Sequence, residues 1–412
     1  MHPPLFRSAC VVGRLCLLAS VAAFATPRAP AAPAGKAISD EEVVAFGEAM
    51  EQAAASGDVK AMNALIDWDA VLDAATADVE APAGFRENFR NGARGSTGDK
   101  GAFSGQIADA CSKGTTYRPI RQRTRDKHKT SLFRFAIANS GGVNYHEYLL
   151  DRDRDGKARA TDIYVYFTGE LFSITMRRGY TMMVADQTRG LAAKLLGPDP
   201  KLLENLGKIP EIARLLQADK PREALAIMDG MPAAVADSKT VMGIRVRAAQ
   251  NIDEATYAGA LERYRKLFPD DPSTNFLSID GYTLLKDYDK ALAAIDRLDK
   301  SVGGDPYIGM LRSGLFQLAG RLADARKAAE AAVAGCPDLI EPCWALLGAT
   351  LRQDDHPATL ATLKLIDQRF EVEFADLTAP PEYARFVKSP QHAEWKAYLA
   401  GKVAPAPALE RP

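Results

Sequence analysis

Five short landmarks, Ala224, Ala258, Ala291, Ala325 and Thr359, stand 34, 33, 34 and 34 residues apart, and the residues around them share a weak common pattern. A step of that size held four times means one supersecondary unit copied along the chain, because chance similarity does not keep register. In the clearest copy, residues 306–339, Phe316 lies on a first helix and Gly320 marks the turn. Ala325 and Ala332 lie on a second helix, and Pro337 closes the unit. The copy before it, 272–305, carries Tyr282, the turn KDYD at 286–289 and Ala291, and the copy after it keeps Trp344 and Leu346. Small residues such as Ala291 and Ala325 let two helices approach where they cross, while Phe316 and Leu318 fill the space between hairpins. One hairpin alone leaves its apolar stripe in water, so the copies must stack.

These residues resemble the tetratricopeptide-repeat family over roughly 204–374. The resemblance implies an all-α helical-repeat superhelix across 204–400, with a concave side lined by first-helix residues that takes another protein or peptide. Carried over position by position, it places Arg247 and Gln250, then Phe276, Asp280 and Thr283, then Tyr307, Met310 and Gln317, and finally Trp344, Leu351 and Arg352 in that groove. Phe276, Met310 and Trp344 have the size of binding hot spots, and the alternative for such aromatics is the core. The array's ends depart from the pattern: Asp354, Asp355 and Pro357 stand in place of the glycine turn, and Thr359 replaces alanine. No Lys/Asn clamp for a C-terminal carboxylate is evident. A last helical segment around Glu382–Leu399 is expected to cap the array.

Residues 39–185 follow a different periodicity, helical at first and alternating afterwards, so the fold class expected is an α+β domain followed by the repeats. Ser39 and Glu42 form a capping box opening a helix that Ser56-Gly57-Asp58 breaks. A helix with Met62, Leu65 and Ile66 follows, then others near 69–77, 84–93 and 102–112. Strands are expected at 116–125, 131–138, 143–150, 160–167 and 171–178, joined by turns at Ser140-Gly141-Gly142, Asp155-Gly156 and Thr168-Gly169. This order resembles the nuclear transport factor 2-like (cystatin-like) group, which implies a conical pocket between a curved antiparallel sheet and a helix. His146, Tyr148, Asp162, Tyr164 and Tyr166 are the candidate pocket wall, with an acid/base pair or a plain hydrogen-bonding interior as the two readings. The run Asp151–Gly156 with Asp162 matches the opening of a calcium loop, but its flanks YHEYLL and DIYVYF are strands, so a hairpin turn is expected there. Arg118, Arg121, Arg123, Arg125, Lys127 and Lys129 read as a charged edge strand or a contact for an acidic partner.

The chain opens with Arg7 and Arg14, an apolar run from Leu15 to Phe24, and the small-x-small site Ala23-Phe24-Ala25. That is a signal peptide over 1–25, too short in its apolar part for the ~20 residues of a membrane span. A Pro/Ala linker at 26–38, a connecting helix at 186–203 and a disordered tail at 401–412 complete the expected organisation. The mature protein is therefore expected to be exported, periplasmic or secreted, with no membrane span. Its formal charge moves from −1 to −3 when the two signal arginines leave, which gives no basic excess for nucleic acid. Export puts Cys111, Cys336 and Cys343 in an oxidising compartment. Cys336 and Cys343 are spaced either for a disulfide or for two small buried residues at a helix junction. His2, His128, His146, His356 and His392 are scattered, and no phosphate loop, dinucleotide fingerprint, nucleophile elbow or zinc motif is present. No metal, cofactor or catalytic residue is therefore assigned. The function expected is protein binding or scaffolding, non-enzymatic, through the repeat groove; the alternative is small-ligand binding or weak catalysis in the N-terminal pocket. Oligomeric state does not follow from the sequence.

Overall fold

A computed structural model describes residues 37–97, 102–138, 141–187, 205 and 208–403. The expected signal peptide, most of the expected linker, residues 188–203 of the expected connecting helix and most of the expected tail lie outside the described residues. The described residues fall into two compact units, one of 37–138 with 142–285 and one of 286–403 with Gly141. The boundary between Leu285 and Lys286 lies inside the segment expected as the repeat array.

The first unit begins with α1 (Asp40–Ser56), where the Ser39 hydroxyl accepts from Glu42 N and the Glu42 carboxylate accepts from Ser39 N. Both ends of that reciprocal cap satisfy backbone donors that the first turn leaves open. Its apolar stripe, Val43, Phe46 and Met50, faces the core. Helices α2 (Val59–Ala64) and α3 (Trp68–Thr76) start on the caps Asp58 and Asp67, followed by α4 (Phe85–Thr97) and α5 (Ala102–Ser112). The strands β1 (Thr116–Arg125), β2 (His128–Ile137), β3 (Gly142–Arg152), β4 (Ala158–Val165) and β5 (Glu170–Leu171) then form one antiparallel sheet in chain order. Pro119 sits in the edge strand β1 beside a bulge, where its missing N–H disturbs no inner ladder. Tyr117, Phe133, Phe135, Tyr148, Ile163 and Val165 project from the inner face onto the same core as α1.

The expected strand 171–178 is a correction. Only Glu170 and Leu171 pair with β4, and the chain then turns into α6 (Phe172–Gln187). Phe172 and Met176 pack on the sheet core, and Tyr180 is buried one turn further on. A spacing of four, which is helical, wins over the apparent alternation of this short stretch.

Helical hairpins follow. The first unit holds α7 (Ile209–Gln217) with α8 (Pro221–Asp229), a short α9 (Ala233–Ala236), α10 (Lys239–Gln250) with α11 (Glu254–Leu267), and α12 (Thr274–Leu284). The second unit holds α13 (Tyr288–Val302), the pairs α14 (Ile308–Leu318) with α15 (Leu322–Gly335) and α16 (Glu341–Arg352) with α17 (His356–Phe370), two 3-10 turns, and α18 (Pro390–Val403). The helices α8, α11, α13, α15 and α17 open 33, 34, 34 and 34 residues apart. Asp219, Lys286, Gly320 and Asp354 each stand two residues before one of these openings, and all four have positive φ, between 55° and 74°. The turn that looked atypical at Asp354 therefore has the same backbone as the one at Gly320. Ala224, Ala291, Ala325 and Thr359 are completely buried in the first turn of their helices. Ala258 is not. In its copy the equivalent position is Tyr257, which is buried and donates its hydroxyl to Asp280 at 3.0 Å. Thr359 fits because its hydroxyl donates back to Asp355 O at 2.8 Å, leaving a nearly apolar surface. At the C-terminal end, Tyr383, Phe386 and Trp395 close over Leu363 and Ile366, so the expected cap forms from the 3-10 turns and α18.

Left-handed backbone is strained for a residue with a Cβ and relaxed for glycine. Replacing Lys286 (φ 57°) by Gly is therefore expected to stabilise the protein by about 0.5–1 kcal/mol in urea unfolding. Gly320→Ala (φ 74°) is expected to destabilise it by about 1 kcal/mol.

Candidate functional site

The pleat of the sheet decides what the candidate pocket residues do. His146 pairs with Val165 and Tyr148 with Ile163, so both project to the inner, core face; Glu147 pairs with Tyr164 and Leu149 with Asp162, so those project to the outer face. His146 and Asp162 are thus on opposite sides of the sheet and do not form an acid/base pair. On the inner face, Tyr117 OH lies 3.0 Å from His146 Nδ1 and 2.7 Å from Tyr148 OH. Asn144 Oδ1 accepts from Tyr145 N and Phe167 N, which turns the Asn144 amide nitrogen toward His146 Nε2 at 3.2 Å. This network assigns the proton of a neutral imidazole to Nδ1. Burial between the Phe103 and Phe135 rings pushes the His146 pKa down to about 3.

The outer face carries a buried carboxylate. Glu147 is fully buried; its Oε2 accepts from Arg125 at 2.7 and 2.9 Å and from Tyr166 OH at 3.0 Å, and its Oε1 from Thr130 at 2.7 Å. Burial raises its pKa, but the Arg125 bonds and charge, with Thr130 and Arg123, outweigh that and hold it below the usual carboxylate value. Arg125 also lies 4.0 Å over the Tyr164 ring, and Arg123 donates to Tyr166 OH at 2.8 Å. Arg118 pairs with Glu51 and Lys129 with Asp40. Four members of the basic run are therefore used within the fold. Asp162 caps α6 from the neighbouring strand: Oδ1 accepts from Ser173 N at 3.1 Å, and Oδ2 takes the Ser173 hydroxyl. Burial, only partly offset by these bonds, raises Asp162 to about 6.

A third cluster joins the sheet to the first hairpins inside the first unit. The turn after β4 brings Phe167 edge-on to Phe276 of α12, with centroids 6.2 Å apart. Lys239, the first residue of α10, donates to Thr168 O at 3.1 Å and lies 2.5 Å from Asp271 and 3.4 Å from Glu170. Glu170 further accepts from Thr175 at 2.7 Å and pairs with Arg178. Asp271 accepts the Ser273 hydroxyl, which meets Tyr264 OH at 2.9 Å. Lys239 has 11% of its side chain exposed, so removing one partner leaves charge out of water without compensation. None of Phe167, Glu170, Lys239 or Asp271 stood out in the sequence, since Lys239 and Glu170 are 69 residues apart and no local pattern joins them.

The groove candidates divide between the units. In the first, Arg247 and Gln250 are half-buried, while Phe276 and Asp280 are buried on Phe167 and Tyr257. In the second, Tyr307, Met310 and Gln317 are buried, and Gln317 Nε2 donates to Ala345 O at 3.3 Å to tie α14 to α16. Trp344 is half-buried, its ring 5.8 Å from Phe374, and Arg352 is exposed with one nitrogen 3.4 Å from Gln317 O. Cys336 and Cys343 stand as buried thiols rather than a disulfide, and Cys343 lies in the apolar cluster with Leu347 and Leu363. Burial raises its pKa to about 11. The Asp151–Gly156 run is a hairpin turn in which Asp153 accepts from Asp155 N and Lys157 N and pairs with Arg159 at 2.6 Å. Among the described residues, no group of three or more His, Cys, Asp or Glu is placed to hold a metal ion, and no helix is long and apolar enough to cross a membrane.

No protein-family model and no curated protein matches the sequence. Among solved structures, the chain is similar to MamA residues 41 to the end from Desulfovibrio magneticus RS-1, at 17% identity, over 43% of this chain and 99% of that one, with a TM-score of 0.35. A likeness at that level fixes neither fold nor function.

The raised Asp162 pKa has a definite sign. The folded state holds a proton that the unfolded state releases near pH 4, so the contribution of Asp162 to stability is fully present below that pH and is lost as pH rises through about 6. Asp162→Asn is expected to flatten that slope. Its stability relative to the unmodified protein should rise by about 2–3 kcal/mol between pH 4 and pH 7 in urea titrations.

Proposed function

We propose that this protein is an exported interaction scaffold of the cell envelope, with an α+β domain followed by a tetratricopeptide-like array whose first-helix side takes a partner protein or peptide. The observation that carries this reading is the regular opening of α8, α11, α13, α15 and α17, with a left-handed residue at the same place before four of them. Within each unit, hairpins built that way offer their first helices as a recognition surface. The nuclear transport factor 2-like reading of residues 40–171 rests on element order alone, helices and then a meander of antiparallel strands. In the second unit, the groove candidates that reach the surface are Trp344, Leu351 and Arg352, two half-buried apolar side chains and an exposed guanidinium. That combination suits an extended peptide with an apolar side chain next to a carboxylate.

The binding experiment uses residues 26–412 as bait in envelope extract, beside a Trp344→Ala/Arg352→Ala variant of equal helicity. The expected result is one protein captured by the first and reduced at least tenfold with the second. Equal capture by both would place the partner surface elsewhere. Export is tested separately: protein recovered from the envelope fraction is expected to begin at Thr26, and an intact Met1 would overturn the signal reading.

A further inference from the structure

We propose that the turn Phe167–Glu170 is an intramolecular ligand that fills the start of the recognition surface, so that a partner using the first hairpins must displace it. This rests on the reading of the first helices as a recognition surface. The argument begins with fit. Gly169 has φ 68°, and a Cβ built there would stand 2.5 Å from Ser273 N and 3.1 Å from Asp271 Oδ1. The backbone of the turn thus lies directly on the entry to α12, at a distance only glycine permits. On one side of Gly169, the Phe167 ring meets Phe276, a residue the sequence marked as a groove anchor. On the other, the Glu170 carboxylate and the Thr168 carbonyl both face the Lys239 ammonium at the entry to α10.

The seat therefore reads three chemical groups in a fixed order: an aromatic ring, a main-chain carbonyl and, three residues after the ring, a carboxylate. Each group on the chain has its counterpart on the helices: Phe276 for the ring, Lys239 for the two oxygens. Asp271 holds Lys239 in place at 2.5 Å, and is itself held by Ser273. An external segment that presents an aromatic side chain and a carboxylate around a tight glycine turn matches the same three groups. The α+β domain occupies that position in the resting protein.

The test supplies the occupant in trans. A fluorescent peptide of residues 166–172, YFTGELF, is titrated into the full chain and into Gly169→Val, in which a branched side chain cannot approach Ser273. The unmodified chain is expected to leave the peptide free, and Gly169→Val with native helicity is expected to bind it. Adding Lys239→Ala to that variant should weaken binding at least tenfold. Equal affinity for the unmodified chain and Gly169→Val, no binding by a folded Gly169→Val, or indifference to Lys239→Ala would each overturn the proposal. Should Gly169→Val lack native helicity, hydrogen exchange on Lys239→Met decides: amides at 166–171, 239–245 and 274–280 are expected to speed up by the same factor, and a change on one side only would refute the latch. Neither readout involves the partner expected at Trp344 and Arg352, so failure of that surface leaves this result intact.

Discussion

A residue held in the left-handed region stands before α8, α13, α15 and α17, and the direction in which each of those helices leaves its turn depends on it; the reversal between α10 and α11 has none. Asp219, Lys286, Gly320 and Asp354 hold that place, and three of the four are not glycine. A side chain there is disfavoured by about 1–2 kcal/mol, so the stacking that follows must over-determine the turn. Three residues into the helix that follows, the chain places Ala224, Ala291, Ala325 or Thr359, each completely buried. Turn and small residue act together: the first fixes the direction of the second helix, and the second lets it lie close. The copy at Tyr257 shows the limit of the rule, because a tyrosine takes the equivalent position and is accommodated by giving its hydroxyl to Asp280.

Buried charge gives the first unit its second organising feature. Glu147 on the sheet and Lys239 at the entry to α10 are both withdrawn from water, which costs several kcal/mol per ion unless partners are close and well aimed. Glu147 has Arg125, Thr130 and Tyr166 around it; Lys239 has Asp271, Glu170 and the Thr168 carbonyl. Such groups contribute little net stability over an apolar core of the same shape. They do penalise any packing that separates them, and so they select one arrangement of the sheet and the first hairpins.

Local elements were largely legible in the chain. The Ser39/Glu42 box, the helices near 69–77, 84–93 and 102–112, and four of the five strands follow from signals contained within a dozen residues. The stretch 171–178 was misleading because eight residues with mixed small and apolar side chains satisfy both a period of two and a spacing of four. Its helix is set by what Phe172, Met176 and Tyr180 meet, together with the Asp162 carboxylate that caps it from β4. The candidate pocket failed for a related reason. His146 and Asp162 are both in strands, but the face each presents depends on strand register and on the bulge at Leu149 and Leu150, and a shift of one residue exchanges the faces.

The sequence by itself determined the class of the fold and the period of the array, because a hairpin of about 34 residues contains its own turn, its own caps and its own apolar stripe. Only the tertiary structure decided which of the residues expected in the groove are spent inside the protein, that Cys336 and Cys343 are buried thiols, and that Phe167 and Glu170 meet Phe276 and Lys239. Those outcomes depend on segments tens of residues apart finding one another. No periodicity within either segment records that meeting, since packing and charge pairing are properties of the assembled surfaces.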